Sequence, residues 1–164
     1  MRTEEDFIGK KKLPDDALYG IHARRAKENF PDQTPFHYEW YKAIATVKLA
    51  CYQTYRKCKD AVSYKYPEQE ASLSLLSDEE IEVLIHSAKE LTQGAYFGHF
   101  IAPAIQGGAG TSINMNVNEI IANLALLKKG KTPGEYTCID PFEHANIFQS
   151  TNDSEVVSHL LAKS

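Results

Sequence analysis

Gln106-Gly107-Gly108-Ala109-Gly110-Thr111-Ser112-Ile113-Asn114-Met115-Asn116-Val117-Asn118-Glu119 joins a glycine-rich turn to the start of a helix. Three glycines permit positive φ and close backbone approach. Ile113, Val117, Ile120, Ile121, Leu124 and Leu127 recur at helical spacing, so a helix is predicted from about Thr111 to Lys129, with Gly130 as its stop. The free N–H groups and the dipole at such a helix start favour an anion. Gly108 and Gly110 open the backbone there, and Thr111 and Ser112 add hydroxyl donors. The expected ligand is a carboxylate or a phosphate. An ordinary glycine-rich turn with Thr111 as N-cap accounts for the same residues. No Gly-Lys-Ser/Thr follows and the GxGxxG spacing is absent, which weakens a nucleotide reading.

The asparagines of this helix add a second constraint. Asn114, Asn116, Asn118 and Asn123 lie inside it, although Asn is a poor helix former. Asn114 and Asn118 are four apart and share a face. A buried amide needs partners, so a polar network or a ligand is expected near these asparagines. A solvated face is the alternative, opposed by the interleaved Ile113, Met115 and Val117.

Upstream, residues 1–35 read as an irregular lead-in. It contains a small hairpin, Thr3–Ile8 and Lys10–Leu13, with Gly9 at the turn. A long helix is predicted from Thr34-Pro35, Thr as N-cap and Pro at N1. Its apolar stripe is Trp40, Ile44, Val47, Cys51, Tyr55 and Cys58, and its polar face is Lys42, Lys48, Arg56 and Lys57. Cys51 and Cys58 then read as small core residues. A looser connection spans residues 61–76, with a short helix after Pro67. Ser77-Asp78-Glu79-Glu80 reads as a capping box, and Gly94 as the C′ residue of the helix it starts. Residues 131–148 read as extended or irregular, and a last short helix begins near Asp153. The fold class is mainly α, with little strand.

The second informative segment is Glu143-His144-Ala145-Asn146-Ile147-Phe148-Gln149-Ser150-Thr151-Asn152-Asp153. Gln149 to Asp153 is a run of hydrogen-bonding side chains. It suits a carboxylate cradle, and equally a helix cap by Ser150 or Asn152. The six histidines show no metal-ligand spacing, and no metal or other cofactor is expected. Cys51, Cys58 and Cys138 form no CxxC pair, which argues against a disulfide framework or a zinc site and fits a reducing cytoplasm. The acidic start lacks the apolar run of a secretory signal. No run approaches the roughly 18 apolar residues of a membrane span. A charge of 18 − 22 = −4 leaves no broad basic surface for nucleic acid. The 164 residues suit one domain, residues 1–164, of 43% hydrophobic and 24% charged residues.

Taken together, the two segments resemble the aspartase/fumarase superfamily. The motif Gly-Gly-Ala-Gly-Thr-Ser-x-Asn-Met-Asn-x-Asn-Glu stands at 107–119, followed by Ala122-Asn123, and Gln149-Ser150-Thr151-Asn152-Asp153 is similar to the next family motif. The lead-in agrees through Glu4-Glu5-Asp6-Phe7-Ile8-Gly9, Asp16-Ala17-Leu18-Tyr19-Gly20-Ile21-His22 and Arg25-Ala26-x-Glu28-Asn29-Phe30. The Ala-Gly-Thr-Ser and Ser-Thr-Asn forms look like the ammonia-lyase branch acting on aspartate, with the fumarase branch second.

The resemblance implies a cofactor-free anti-elimination that turns L-aspartate into fumarate and ammonia. It implies that Thr111, Ser150, Thr151 and Asn152 contact the dicarboxylate, with Gly108, Gly110, Ser112, Asn114 and Asn116 supporting the anion site. Family members are longer and form tetramers, whose central helical bundle lets each site draw on three subunits. They place a catalytic serine base on a Gly-Ser-Ser-x-Met-Pro-x-Lys-x-Asn-Pro loop. This sequence holds no Ser-Ser pair, so no catalytic base is assigned. The 164 residues match the N-terminal domain, without the central and C-terminal domains, and are expected to be inactive alone. Two departures stand out: Phe142 where members usually read Asn, and Ser154-Glu155-Val156-Val157-Ser158-His159 where they read Pro-Thr-Ala. A non-catalytic dicarboxylate-binding or interaction module is the competing reading.

Overall fold

The computed structural model describes residues 1–32, 34–70, 73–106, 109–150 and 157–162. The order is β1 (Arg2–Asp6), β2 (Gly9–Leu13), α1 (Ile21–Asn29), α2 (Tyr38–Lys65), α3 (Pro67–Glu70), α4 (Asp78–Thr92), a 3-10 turn (Phe97–His99) and α5 (Thr111–Lys128). Residues 157–161 are also helical. The fold is mainly α with one antiparallel hairpin, as the sequence predicts. No helix of the described residues is long and apolar enough to cross a membrane.

The hairpin pairs Asp6 with Gly9, so its turn is Phe7-Ile8 and not Gly9. Asp6 shapes that turn: its Oδ1 accepts the N–H of Ile8 at 2.9 Å and of Gly9 at 3.1 Å. The Arg25 guanidinium donates twice to the Asp6 carboxylate, both at 2.7 Å, and docks the hairpin on α1. That pairing holds Asp6 below the usual carboxylate range.

Helix α1 corrects the irregular lead-in. Its N-cap, Gly20, has no side chain to cap with. Distant carboxylates fill the role. Glu119 of α5 accepts from Gly20 N at 2.8 Å, His22 N at 2.8 Å and Ala23 N at 3.1 Å. Glu4 of β1 accepts from Ile21 N at 2.8 Å. The four amides of the helix start, which have no intrahelical partner, are thus all satisfied. Gly20 is required by this arrangement: a Cβ there would sit 2.6 Å from Tyr136 Oη and 2.7 Å from Glu119 Oε1.

Helix α2 departs from expectation at both ends and in phase. It begins at Tyr38 after His37, not at Thr34-Pro35, because Thr34 turns back to bond the Asp32 carboxylate through both its N–H and its hydroxyl. It runs on to Lys65, giving 28 residues and about 42 Å. Its buried residues are Tyr41, Ala43, Ile44, Ala45, Val47, Lys48, Tyr52 and Tyr55, which keep Ile44, Val47 and Tyr55 of the predicted stripe. Trp40 is only half-buried, and Lys48, predicted on the polar face, is fully buried. Cys51 is half-buried and Cys58 exposed, so neither is a core residue. Both line an open apolar groove of about 540 Å³ with Val47, Tyr55, Ile147 and Phe148. The polar tips of the inward tyrosines find backbone partners. Tyr41 Oη donates to Ala95 O at 2.7 Å, Tyr52 Oη donates to Ala145 O at 2.5 Å, and Tyr55 Oη accepts from Leu76 N at 2.9 Å.

Helix α4 carries the predicted capping box: Glu80 N donates to Ser77 Oγ at 3.2 Å, and Ser77 N to Glu80 Oε2 at 2.8 Å. Gly94 follows its C-cap with φ +82°, where a Cβ would run into the Tyr38 ring. Ser77→Ala is expected to cost about 1 kcal/mol, read as a lowered urea midpoint with unchanged slope. Helix α5 is buried on every side from Ile113 to Leu126, so it is the central element rather than a one-faced surface helix. Ile44 of α2 and Ile81, Leu84 and Leu91 of α4 share the core with Ile120, Ile121 and Leu126 of α5.

Candidate carboxylate-binding site

The glycine-rich turn enters α5 through two consecutive left-handed residues, Ala109 at φ +53° and Gly110 at φ +83°. Gly110 is the N-cap, without a side-chain cap bond, so Thr111 is the first helical residue rather than the cap. Thr111 is exposed and Ser112 half-buried. Thr111 and Ser112 therefore stand in the first turn of a helix, where backbone amides have no partner within the helix. Gly108 lies outside the described residues, as does Gly107.

The asparagines of α5 are buried, and most of their polar groups are paired. Asn116 Oδ1 accepts from Ile101 N at 2.7 Å and Ala102 N at 3.0 Å, while its amide donates to His99 O at 3.3 Å. Asn123 donates to Leu18 O at 2.7 Å and accepts from Gly134 N at 2.8 Å. Asn114 and Asn118, 2% and 0% exposed, both donate to Asn146 Oδ1 at 3.1 Å. Lys48 Nζ of α2 donates to the same oxygen at 3.0 Å. The expected polar network is present, and its centre is Asn146, which sequence reasoning did not single out. Lys48 was also missed. The one signal for Asn146 was its place three residues before Gln149 in the second motif. Asn114 Oδ1 and Asn118 Oδ1 have no hydrogen-bond partner among the described residues.

Asn146 links this network to the second segment. Its Nδ2 donates to Gln149 O at 2.8 Å, and Gln149 N donates back to Asn146 O at 3.0 Å. Ser150 follows, exposed. Phe148, between them, is held at φ +50° and 86% exposed. Each segment thus carries a non-glycine left-handed residue two positions before a predicted contact residue, Ala109 before Thr111 and Phe148 before Ser150. Such conformations cost about 1–3 kcal/mol and persist only where surrounding structure enforces them. Thr151 and Asn152 lie outside the described residues.

At the departure from the family pattern, Phe142 is half exposed and meets His22 edge-on at 5.2 Å between ring centroids. His144 Nδ1 accepts from Asp140 N at 2.8 Å and so serves its own turn. Burial holds His22 below the ordinary imidazole value.

Comparison with known proteins bears on the same two segments. A family model described as "Lyase" matches residues 9–164. The aspartate ammonia-lyase of a Bacillus species is 41% identical over 155 residues, which cover 94% of this chain and 30% of that protein. That of Helicobacter pylori strain J99 is 42% identical over the same shares. The chain thus spans about 30% of the length of these curated relatives. Among solved structures, the fumarate lyase:delta crystallin from Brucella melitensis in native form superposes with a TM-score of 0.78 at 32% identity, over 98% of this chain and 34% of that one. The recombinant class II fumarase from Schistosoma mansoni gives 0.79 at 25% identity, over 98% and 31%. With a family model matched along nearly its whole length, this chain belongs to the aspartase/fumarase superfamily of lyases.

Proposed function

We propose that this chain is the N-terminal portion of an aspartate ammonia-lyase and supplies the carboxylate-binding half of its active site. The carrying observation is that Asn146 joins Asn114 and Asn118, in the first two turns of α5, to the Gln149-Ser150 segment, in a chain up to 42% identical to aspartate ammonia-lyases. In this reading the 164 residues form one domain, act in the cytoplasm and enter a homotetramer with the rest of the enzyme. The substrate is a small dicarboxylate, with no nucleic acid or membrane involved.

The reaction breaks a C–H bond next to one carboxylate and a C–N bond on the neighbouring carbon, and forms the C=C bond of fumarate. The proton goes to a base outside these 164 residues, and the amine leaves as ammonia. As the proton leaves, the adjacent carboxylate takes on a second negative charge. Thr111, Ser150 and Thr151 donate hydrogen bonds to that carboxylate, and Asn152 orients the substrate and its leaving group. Gly108 and Gly110 leave the backbone donors accessible and Ser112 adds a hydroxyl, while Asn114 and Asn116 fix the helix behind them. A single preorganised donor of this kind is worth roughly 3–4 kcal/mol.

The test pairs binding with turnover. Fumarate, succinate and L-aspartate are titrated against the chain by calorimetry or NMR. Fumarate formation from aspartate is then followed for the chain alone and for the chain joined to the remaining residues of the Bacillus relative. Expected are binding without turnover alone, turnover in the fusion, and about a hundredfold lower kcat/KM in the fusion carrying Thr111→Val. Robust deamination by the chain alone, or an unaffected Thr111→Val fusion, contradicts the reading. The likeness to a class II fumarase favours a second reading, hydration of fumarate, and malate formation by the same fusion separates the two. Binding with no turnover in the fusion indicates a non-catalytic module.

A further inference from the structure

We infer that Asn146 is a positioning residue, a directional bridge that holds the Gln149-Ser150 segment against α2 and α5. Its side chain is used at both ends. The oxygen accepts from Lys48, Asn114 and Asn118, and the nitrogen donates to Gln149 O. The orientation of the amide is not free. An ammonium carries only donors, so the Asn146 oxygen must face Lys48. The NH₂ is thereby turned toward the Gln149 carbonyl. Asn114 and Asn118 must in turn present their own NH₂ groups to the shared oxygen, which aligns the first two turns of α5 with the same point.

The strained turn gives this bridge its task. Phe148 stands at φ +50° and is 86% exposed, its ring reaching Tyr55 at 5.7 Å between centroids, so little of its side chain is buried to hold the conformation. The turn is closed by the backbone bond from Gln149 N to Asn146 O and by the side-chain bond from Asn146 Nδ2 to Gln149 O. Both meet at one residue. The consequence for ligand binding rests on the carboxylate-site reading above, because Ser150 follows directly on the tethered Gln149.

Two substitutions separate holding the fold from positioning the segment. Asn146→Asp keeps an oxygen for Lys48, Asn114 and Asn118, but sets a second oxygen against the Gln149 carbonyl. Asn146→Ala removes both ends. For Asn146→Asp we expect a melting temperature close to wild type, with amide exchange at Gln149 and Ser150 faster by about tenfold or more. Fumarate affinity should fall about tenfold in the same variant, while Asn146→Ala also lowers the melting temperature. Unchanged exchange in Asn146→Asp overturns the inference. Faster exchange in a chain whose wild type binds no fumarate upholds the positioning role and removes the carboxylate reading instead. A measurement that needs no variant covers the case in which Asn146→Asp does not fold. In the wild type, the Asn146 side-chain amide protons should exchange about tenfold or more slowly than those of exposed Asn29. Equal rates overturn the bridge.

Discussion

Glu119→Gln is expected to lower stability by about 2–4 kcal/mol, measured by urea unfolding at neutral pH. The carboxyl group accepts three amides, two on Oε2 from Gly20 and Ala23 and one on Oε1 from His22. Even with its proton bound, a carboxyl keeps an acceptor lone pair on each oxygen, whereas a glutamine has one acceptor end and one donor end. Whichever way it lies, its NH₂ faces at least one of these N–H groups, in a site with no solvent exposure. A midpoint equal to wild type would show that α1 does not depend on this distant cap. The pH dependence gives a second check. Burial pushes the Glu119 carboxyl up to about 8, with the three amides pulling the other way and Glu4 adding to the rise. The folded value lies above the unfolded one, near 4.3, so the native state binds the extra proton. Its contribution is full below the unfolded value and is lost as pH rises through the folded one. The advantage of wild type over the variant should therefore shrink between about pH 5 and pH 8. His22 and His99, held down by burial, act in the opposite sense and cancel in the difference between the two proteins.

Asn116→Ala is expected to cost about 3–5 kcal/mol. It orphans the N–H groups of Ile101 and Ala102 and the carbonyl of His99, and leaves a small cavity in a helix buried on all sides. The segment it releases leads into the glycine-rich turn, so the loss should reach the site as well as the core. Hydrogen exchange checks this locally: the amides of Ile101 and Ala102 should lose protection before the core of α4 does. Retained protection at both positions would show that Asn116 does not anchor this segment.

Where a helix carries its own start and stop signals, it is legible in the sequence. Ser77-Asp78-Glu79-Glu80 and Gly94 bound α4, and the glycine-rich turn and Gly130 bound α5, because caps and left-handed stops are local chemistry. Helix α1 is illegible for the same reason. Ile-His-Ala-Arg-Arg-Ala-Lys-Glu-Asn is mostly polar, and its cap comes from residue 119. In α2 two stripes share the same spacing. The one through Tyr41, Lys48 and Tyr52 faces inward although its residues have polar ends, because each end meets a partner that only the folded loops supply. The site divides along the same line. The buried asparagines of α5 were legible, since amides between Ile113, Met115 and Val117 have little access to water. Asn146 and Lys48 were not, since their meeting joins positions 98 residues apart.

That the chain is mainly α, that a glycine-rich turn opens its most apolar helix, and that this helix holds amides needing partners are all legible along the sequence. These follow from periodicity, turn chemistry and the cost of burying an unpaired amide, each readable within a few neighbouring residues. Which partners those are is set by the packing of distant segments. Glu119 caps a helix it does not belong to, and Asn146 gathers two helices at its side-chain oxygen and a strained turn at its nitrogen. The reason is physical: a hydrogen-bond donor states its need locally, but the acceptor that meets it is fixed only when distant segments pack.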